Sequence, residues 1–202
     1  MRWLGGSPCA GKSSVSTLLS EQFGLSLYQV DYQLRGQMDR LDPARHPALS
    51  AWLAASCDER WLKPVDELLA DAIACYTDHF SLVLEDLNAI PPGQVTLAEG
   101  TALLPHLVAG LGIQPSHALW MTPTPSFQME HYSRRPWVKE MLADCSDPER
   151  AFANWMERDI QFARWVADEA GRHGYAVVWV DGSQTTEANE IGVAEHFGLD
   201  PP

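Results

Sequence analysis

The stretch Gly6-Ser7-Pro8-Cys9-Ala10-Gly11-Lys12-Ser13 constrains this chain more than any other, because it carries a glycine, four free positions and then Gly-Lys-Ser. That spacing is the phosphate-loop pattern, which works only between a strand and a helix. The flanks supply both: Arg2-Trp3-Leu4-Gly5 can form a short buried strand, and Val15, Leu18, Leu19 and Phe23 recur at helical spacing. In such a loop successive backbone N–H groups point inward, and the helix N-terminus adds partial positive charge. Lys12 is placed to reach the β- and γ-phosphates of ATP, and the Ser13 hydroxyl to hold Mg²⁺. Gly11 permits backbone angles that a side chain forbids. The expected nucleotide-binding residues are therefore Gly6, Ser7, Pro8, Cys9, Ala10, Gly11, Lys12, Ser13 and Ser14.

With 202 residues the chain fits one α/β domain with an ample core. Its formal net charge of −13 argues against nucleic acid or an anionic membrane surface as partner, since both would repel an acidic protein. Cationic sites must then be local. Cys9, Cys57, Cys75 and Cys145 lie far apart with no paired-ligand spacing, so neither a zinc site nor a disulfide framework is expected. Reduced thiols and a cytoplasmic location fit best. Cys9 reads as a small loop residue, although the amide-rich setting favours oxidation of its thiol. No apolar run is long enough to span a bilayer.

After the first helix, residues 25–30 read as a strand that delivers Asp31 at its carboxyl end. In a parallel α/β sheet that end faces the ligand crevice. Asp31 is thus a candidate general base or Mg²⁺-shell carboxylate, or else a helix cap. Arg35, four residues on, would share its helical face and grip an anionic group on the acceptor. Residues 31–88 have a helical pattern with breaks at Asp42-Pro43 and Lys63-Pro64, and Arg35, Arg40 and Arg45 form a local basic cluster. Next, residues 95–98 form a buried strand ending in Glu99-Gly100-Thr101, which puts Glu99 where Mg²⁺ is held and Glu99 and Gly100 beside the acceptor. A helix is expected over 101–109 and a strand over 117–121. The proline-rich stretch 122–145 reads as a mobile flap. Ser146-Asp147-Pro148-Glu149 reads as a capping box opening a long helix, on which Arg158 and Arg164 belong to the solvated face. A last strand over 175–181 leads through Gly182 and Ser183 into a terminal helix.

The order of phosphate loop, strand-end Asp31, strand-end Glu99, an arginine-bearing segment after the fourth strand and a terminal strand-loop-helix resembles the small-molecule kinases of the nucleoside and nucleotide kinase superfamily. Ala-Glu-Gly-Thr at 98–101 and Val-Asp at 30–31 look like its shikimate-kinase-like and antibiotic-phosphotransferase-like branches. The resemblance implies a P-loop NTPase three-layer sandwich over 1–202, a five-stranded parallel sheet between helices, with a helical lid over about 123–150. It implies a phosphotransferase that moves the γ-phosphoryl group of Mg²⁺–ATP to a hydroxyl of a small metabolite. Arg134 and Arg135 match lid arginines that neutralise the transferring group, and the loop with Gly182 and Ser183 matches the place where adenine packs. Two rivals stand beside it, a nucleotide-binding regulator and an ATP hydrolase without an acceptor. A switch GTPase is excluded, because no Asn-Lys-x-Asp motif is present to read guanine.

Overall fold

Adjacent residues of a strand point to opposite faces of its sheet, so an apolar run buried on both faces needs a helix layer on each side. The computed structural model, which describes residues 1–199, has that arrangement. Strands β1 (Arg2–Gly6), β2 (Ser26–Gln29), β3 (Thr96–Glu99), β4 (Ala118–Pro123) and β5 (Ala176–Val180) form one sheet in the order β2-β3-β1-β4-β5. Every pairing is parallel, and Leu4 at the centre lies opposite Glu99 on one side and Leu119 on the other.

On one face Trp3, Ala98 and Trp120 meet α5 (Val65–Ala89), α6 (Pro105–Gly110) and α9 (Pro148–Arg172). Their chain neighbours Leu4, Leu97, Leu119 and Met121 meet α1 (Lys12–Phe23) and α10 (Thr186–Phe197) on the other. Each fully buried Leu, Met or Phe in these layers contributes roughly 1.5–3 kcal/mol over an exposed one. The result is a three-layer α/β sandwich with a five-stranded parallel sheet.

The expected breaks fall where proline dictates. α2 (Val30–Met38), α3 (Pro47–Ala54) and α4 (Cys57–Trp61) precede the long α5, and Pro47 occupies the first turn of α3, where its missing N–H costs nothing. Three expectations shift. The helix expected at 101 starts only at Pro105, because Thr101 to Leu104 turn first. The strand expected at 117 begins at Ala118 after a tight turn. The α9 cap is Asp147, whose side chain accepts from the Arg150 amide, while the Ser146 amide goes to Asp58 Oδ1 at 2.7 Å.

A third apolar cluster lies beyond the sheet. Here α7 (Pro125–Ser133), α8 (Pro136–Met141) and the start of α9 pack on α4 through Tyr132, Val138, Leu142, Trp155 and Trp61. Cys57 and Cys145 are joined by a disulfide across this cluster, with Cα atoms 4.9 Å apart. That corrects the expectation of four reduced thiols: residues 88 apart in sequence meet only because the fold stacks the flap segment on α4. No helix among the described residues is long and apolar enough to cross a membrane.

A cross-link closing a loop of that length stabilises by about 4–5 kcal/mol in the chain-entropy account. At about 2–4 °C per kcal/mol for a domain of this size, Cys57→Ser should lower the Tm by roughly 10 °C in oxidising buffer. With excess dithiothreitol wild type and variant should melt together. Equal Tm values without reductant would show that the bond contributes nothing.

Candidate active site

β1 ends in Gly5 and Gly6 because nothing larger fits. A Cβ on Gly6 would stand 1.9 Å from the Met121 carbonyl oxygen, and one on Gly5 would stand 2.2 Å from Trp120 Nε1. The chain then turns over the sheet edge, with the Ser7 amide donating to Met121 O at 3.1 Å. Cys9 and Gly11 take left-handed angles, φ 66° and 76°, and α1 begins at Lys12. The Lys12 ammonium folds back to donate to Ser7 O at 2.8 Å. A loop of this shape at a helix N-terminus is a phosphate loop. The chain has the P-loop fold.

Lys12 and Glu99, which ends the neighbouring strand β3, are both buried, at 6% and 4% exposure. Burial lowers the Lys12 pKa below 10.5 even though Glu99 and Asp31 attract its charge. Burial likewise raises Glu99 above 4.5, against the pull of Lys12 and contacts from Ser13 and Gln29. Each group is thus short of counter-charge, and desolvation outweighs their mutual attraction.

A cavity of about 370 Å³ opens over the loop and is lined by residues 8–14 together with Asp31, Glu99 and Arg135. Ser13 and Glu99 with Asp31 offer a hydroxyl and two carboxylates, hard oxygen ligands of the kind Mg²⁺ takes alongside phosphate oxygens and water. The donor set fits Mg²⁺–ATP.

Of the residues expected here, Gly6 and Ser7 lie buried behind the loop and shape it. Gly100 is also structural: a Cβ there would meet Val30 Cγ2 at 2.5 Å, and Thr101 and Ala102 line the cavity in its place. Arg134 and Arg135 part company. Arg135 lines the cavity with its guanidinium over the Tyr132 ring at 5.1 Å and the Trp137 ring at 5.7 Å. Arg134 is exposed, pairs with Glu130 one turn back on α7, and is not brought to the cavity. Arg35 is exposed and lines no cavity described here. Arg40 and Arg45 are held by Glu85 and Asp86 on α5, so the basic cluster is neutralised away from the loop. Gly182 and Ser183 lie outside the cavity, in a turn where Asp181 accepts from the Ser183 amide and hydroxyl, against the Phe127 ring. Burial pushes the Cys9 thiol up to about 11, so it stays protonated at neutral pH, against the expectation of a readily oxidised thiol.

Several residues that line the site gave no functional signal in the sequence. Tyr76, His79, Tyr132 and Trp137 face the same cavity. His79 is held by Gln37 Oε1 at 2.6 Å, and Gln37 in turn donates to Tyr28 and Asp86. Burial keeps His79 neutral, its pKa below 6.5. Arg158 departs furthest from expectation. Its side chain is 11% exposed, paired with Asp159 at 2.6 Å and set over the Trp61 ring, because α9 turns this face inward against α4.

The chain matches no protein-family model and no curated protein. Among solved structures it is similar to shikimate kinase from Aquifex aeolicus vf5, at 16% identity and a TM-score of 0.45, over 97% of this chain and 96% of that one. It is also similar to a protein of Chloroflexus aurantiacus provisionally named a kinase, at 16% identity and a TM-score of 0.49, over 96% of each chain.

The lowered Lys12 pKa has a measurable sign. Only the ammonium form attracts phosphates, and it is lost at lower pH than for an ordinary lysine at 10.5. Mg²⁺–ATP affinity, followed by titration calorimetry, should therefore fall on the alkaline side before pH 10.5 is reached. An affinity that stays flat to that pH would contradict the placement of Lys12.

Proposed function

We propose that this chain is an ATP-dependent phosphotransferase that moves a phosphoryl group to a hydroxyl of a small molecule. The observation that carries this reading is that the phosphate loop, an acidic side chain free of ion pairs and a guanidinium line one cavity. Loop amides and Lys12 would hold the β- and γ-phosphates; the Ser13 hydroxyl and Glu99 would hold Mg²⁺. When bound there, the metal would neutralise charge on the phosphates. Adenine packs beside the Gly182–Ser183 turn, a reading supported by the closeness of Phe127 on α7.

The acceptor hydroxyl lies between the γ-phosphate and Asp31. As its oxygen bonds to the γ-phosphorus, the bond to the bridging oxygen breaks, ADP departs and the hydroxyl proton passes to Asp31. Arg135 meets charge growing on the equatorial oxygens, and stacking on two rings fixes its plane before reaction. Residues 123–150, with α7 and α8, act as the lid that excludes water. The acidic balance supports an enzyme without nucleic acid partners.

Two measurements test this. Saturating Mg²⁺–ATP at about a hundred times its Kd should stabilise by roughly 2.7 kcal/mol, and Lys12→Ala should abolish most of the resulting Tm rise. Equal rises in both proteins would remove the phosphate-loop assignment. With an acceptor found by ADP release, Asp31→Asn should lower kcat by about 10²–10⁴ while ATP still binds. Arg135→Ala should lower kcat far more than Arg134→Ala. Full activity of Asp31→Asn would reduce Asp31 to a helix cap.

A further inference from the structure

Beyond Asp31 the phosphate cavity continues into a second chamber of about 290 Å³, which shares Pro8, Asp31, Tyr76, His79, Tyr132 and Trp137 with it. This size sits at the small end of ligand cavities, about 300–1,000 Å³. Its walls are aromatic rings: Trp52 from α3, Trp61 from α4, Tyr76 from α5, Tyr132 from α7, Trp137 from α8 and Trp155 from α9. The rings brace one another, with Trp61 stacked on Trp155 at 4.5 Å and Tyr132 and Trp137 set against Trp155 at 5.4 and 5.9 Å.

The charges of the chamber exclude one class of acceptor. Arg158 lines it, but Asp159 lies 2.6 Å from its Nε and is held in place by Tyr132 Oη at 2.9 Å and Trp155 Nε1 at 3.2 Å. Asp159 offsets the Arg158 charge, which leaves Asp31 as the remaining charged group of the chamber, facing Lys12 across the phosphate side. The other nearby cations, Lys12 and Arg135, line the phosphate side. A carboxylate or phosphate on the acceptor would enter an aromatic-walled space whose one guanidinium already faces the Asp159 carboxylate and whose mouth carries the Asp31 anion, and burying an anion there is costly. Flat rings against flat walls gain both apolar burial and ring–ring contact.

We infer that the acceptor is an uncharged compound carrying a hydroxyl on or beside a planar ring, and that the chamber walled by Trp52, Trp61 and Trp137 selects that ring and rejects anionic acceptors. Taking this chamber as the acceptor's rests on the phosphotransferase reading. The ring preference itself is a binding property and can be measured without nucleotide.

Three probes separate the contributions. 1-Phenyl-1,2-ethanediol and mandelate share a phenyl ring and a secondary hydroxyl and differ in CH₂OH against carboxylate; propane-1,2-diol keeps the diol and lacks the ring. Titrations of the wild-type chain followed by tryptophan emission should give the phenyl diol about tenfold or greater preference over each of the others. Trp52→Ala, which lies away from the phosphate loop, should weaken the phenyl diol by about tenfold and leave the Mg²⁺–ATP Tm shift unchanged. Mandelate binding as tightly as the phenyl diol, propane-1,2-diol binding equally, or no change in emission with the phenyl diol would each overturn the inference. The wild-type comparison decides even if Trp52→Ala fails to fold. A chain that prefers the phenyl diol but releases no ADP with any acceptor supports the ring chamber and defeats phosphoryl transfer. A chain that phosphorylates a carboxylated acceptor and fails the probe series keeps the transfer reading and loses this one.

Discussion

The approach of β1 to β4 is the constraint on which the site depends. Gly6 lies so close to Met121 that a side chain there would occupy the carbonyl oxygen's place, and the Ser7 amide is spent on that same carbonyl. The loop therefore leaves the sheet from a fixed point. One residue earlier, Gly5 makes room for the Trp120 indole, whose Nε1 donates to Leu103 O at 2.8 Å and so ties down the turn after Glu99. Two small residues thus set the phosphate loop and the carboxylate strand end relative to each other. A methyl group at either position would force apart backbone that cannot yield cheaply.

An acidic chain can build an anion site only by concentrating its few cations, and burial is how this one does it. Lys12 and Glu99 are desolvated beyond what their mutual attraction offsets, so each is shifted toward neutrality. A polyphosphate with its metal would bring the charges both lack. Binding of such a ligand would offset the desolvation of that buried pair. The exposed ion pairs of Arg40 and Arg45 with α5 follow different physics. In high dielectric they add little stability.

The parts of this arrangement that were legible in the sequence are those set by local spacing. The phosphate loop, the parallel strands and Glu99 at a strand end follow from motifs and apolar runs within a few residues of each other, whereas the strand expected over 25–30 stops at Gln29 and Asp31 lies in the first turn of α2. What was not legible depends on which helix faces meet. Arg158 sits on a long amphipathic helix where charge ordinarily means solvent, and only the packing of α4 and α7 onto that face buries it. Trp52, Trp61, Trp137 and Trp155 are spread over four helices, so their convergence is invisible to any periodicity. The disulfide joins cysteines 88 residues apart for the same reason. Adjacent Arg134 and Arg135 were read as equivalent, yet α7 ends at Ser133 and the backbone is extended at Arg135, which sends the two side chains apart.

These same contacts limit how the segment with α7 and α8 can move. α7 follows directly from β4, and its buried Gln128 donates to Met156 O on α9, so that end is fixed to the sheet and the long helix. The far end of α8 is fixed too, through Leu142 in the aromatic cluster and Cys145 bonded to Cys57. A segment anchored at both ends cannot swing as a free flap. Movement of this segment is then confined to the joint between α7 and α8, at residues 134–135, where α7 has ended and Pro136 supplies no amide. Arg135 is the residue at that joint, stacked between Tyr132 before it and Trp137 after it. A rotation of a few residues there moves the guanidinium relative to the loop while leaving the rings of the second chamber braced on Trp155. The doubly anchored segment thus confines movement to the stretch that carries Arg135, whose guanidinium lines the cavity over the loop.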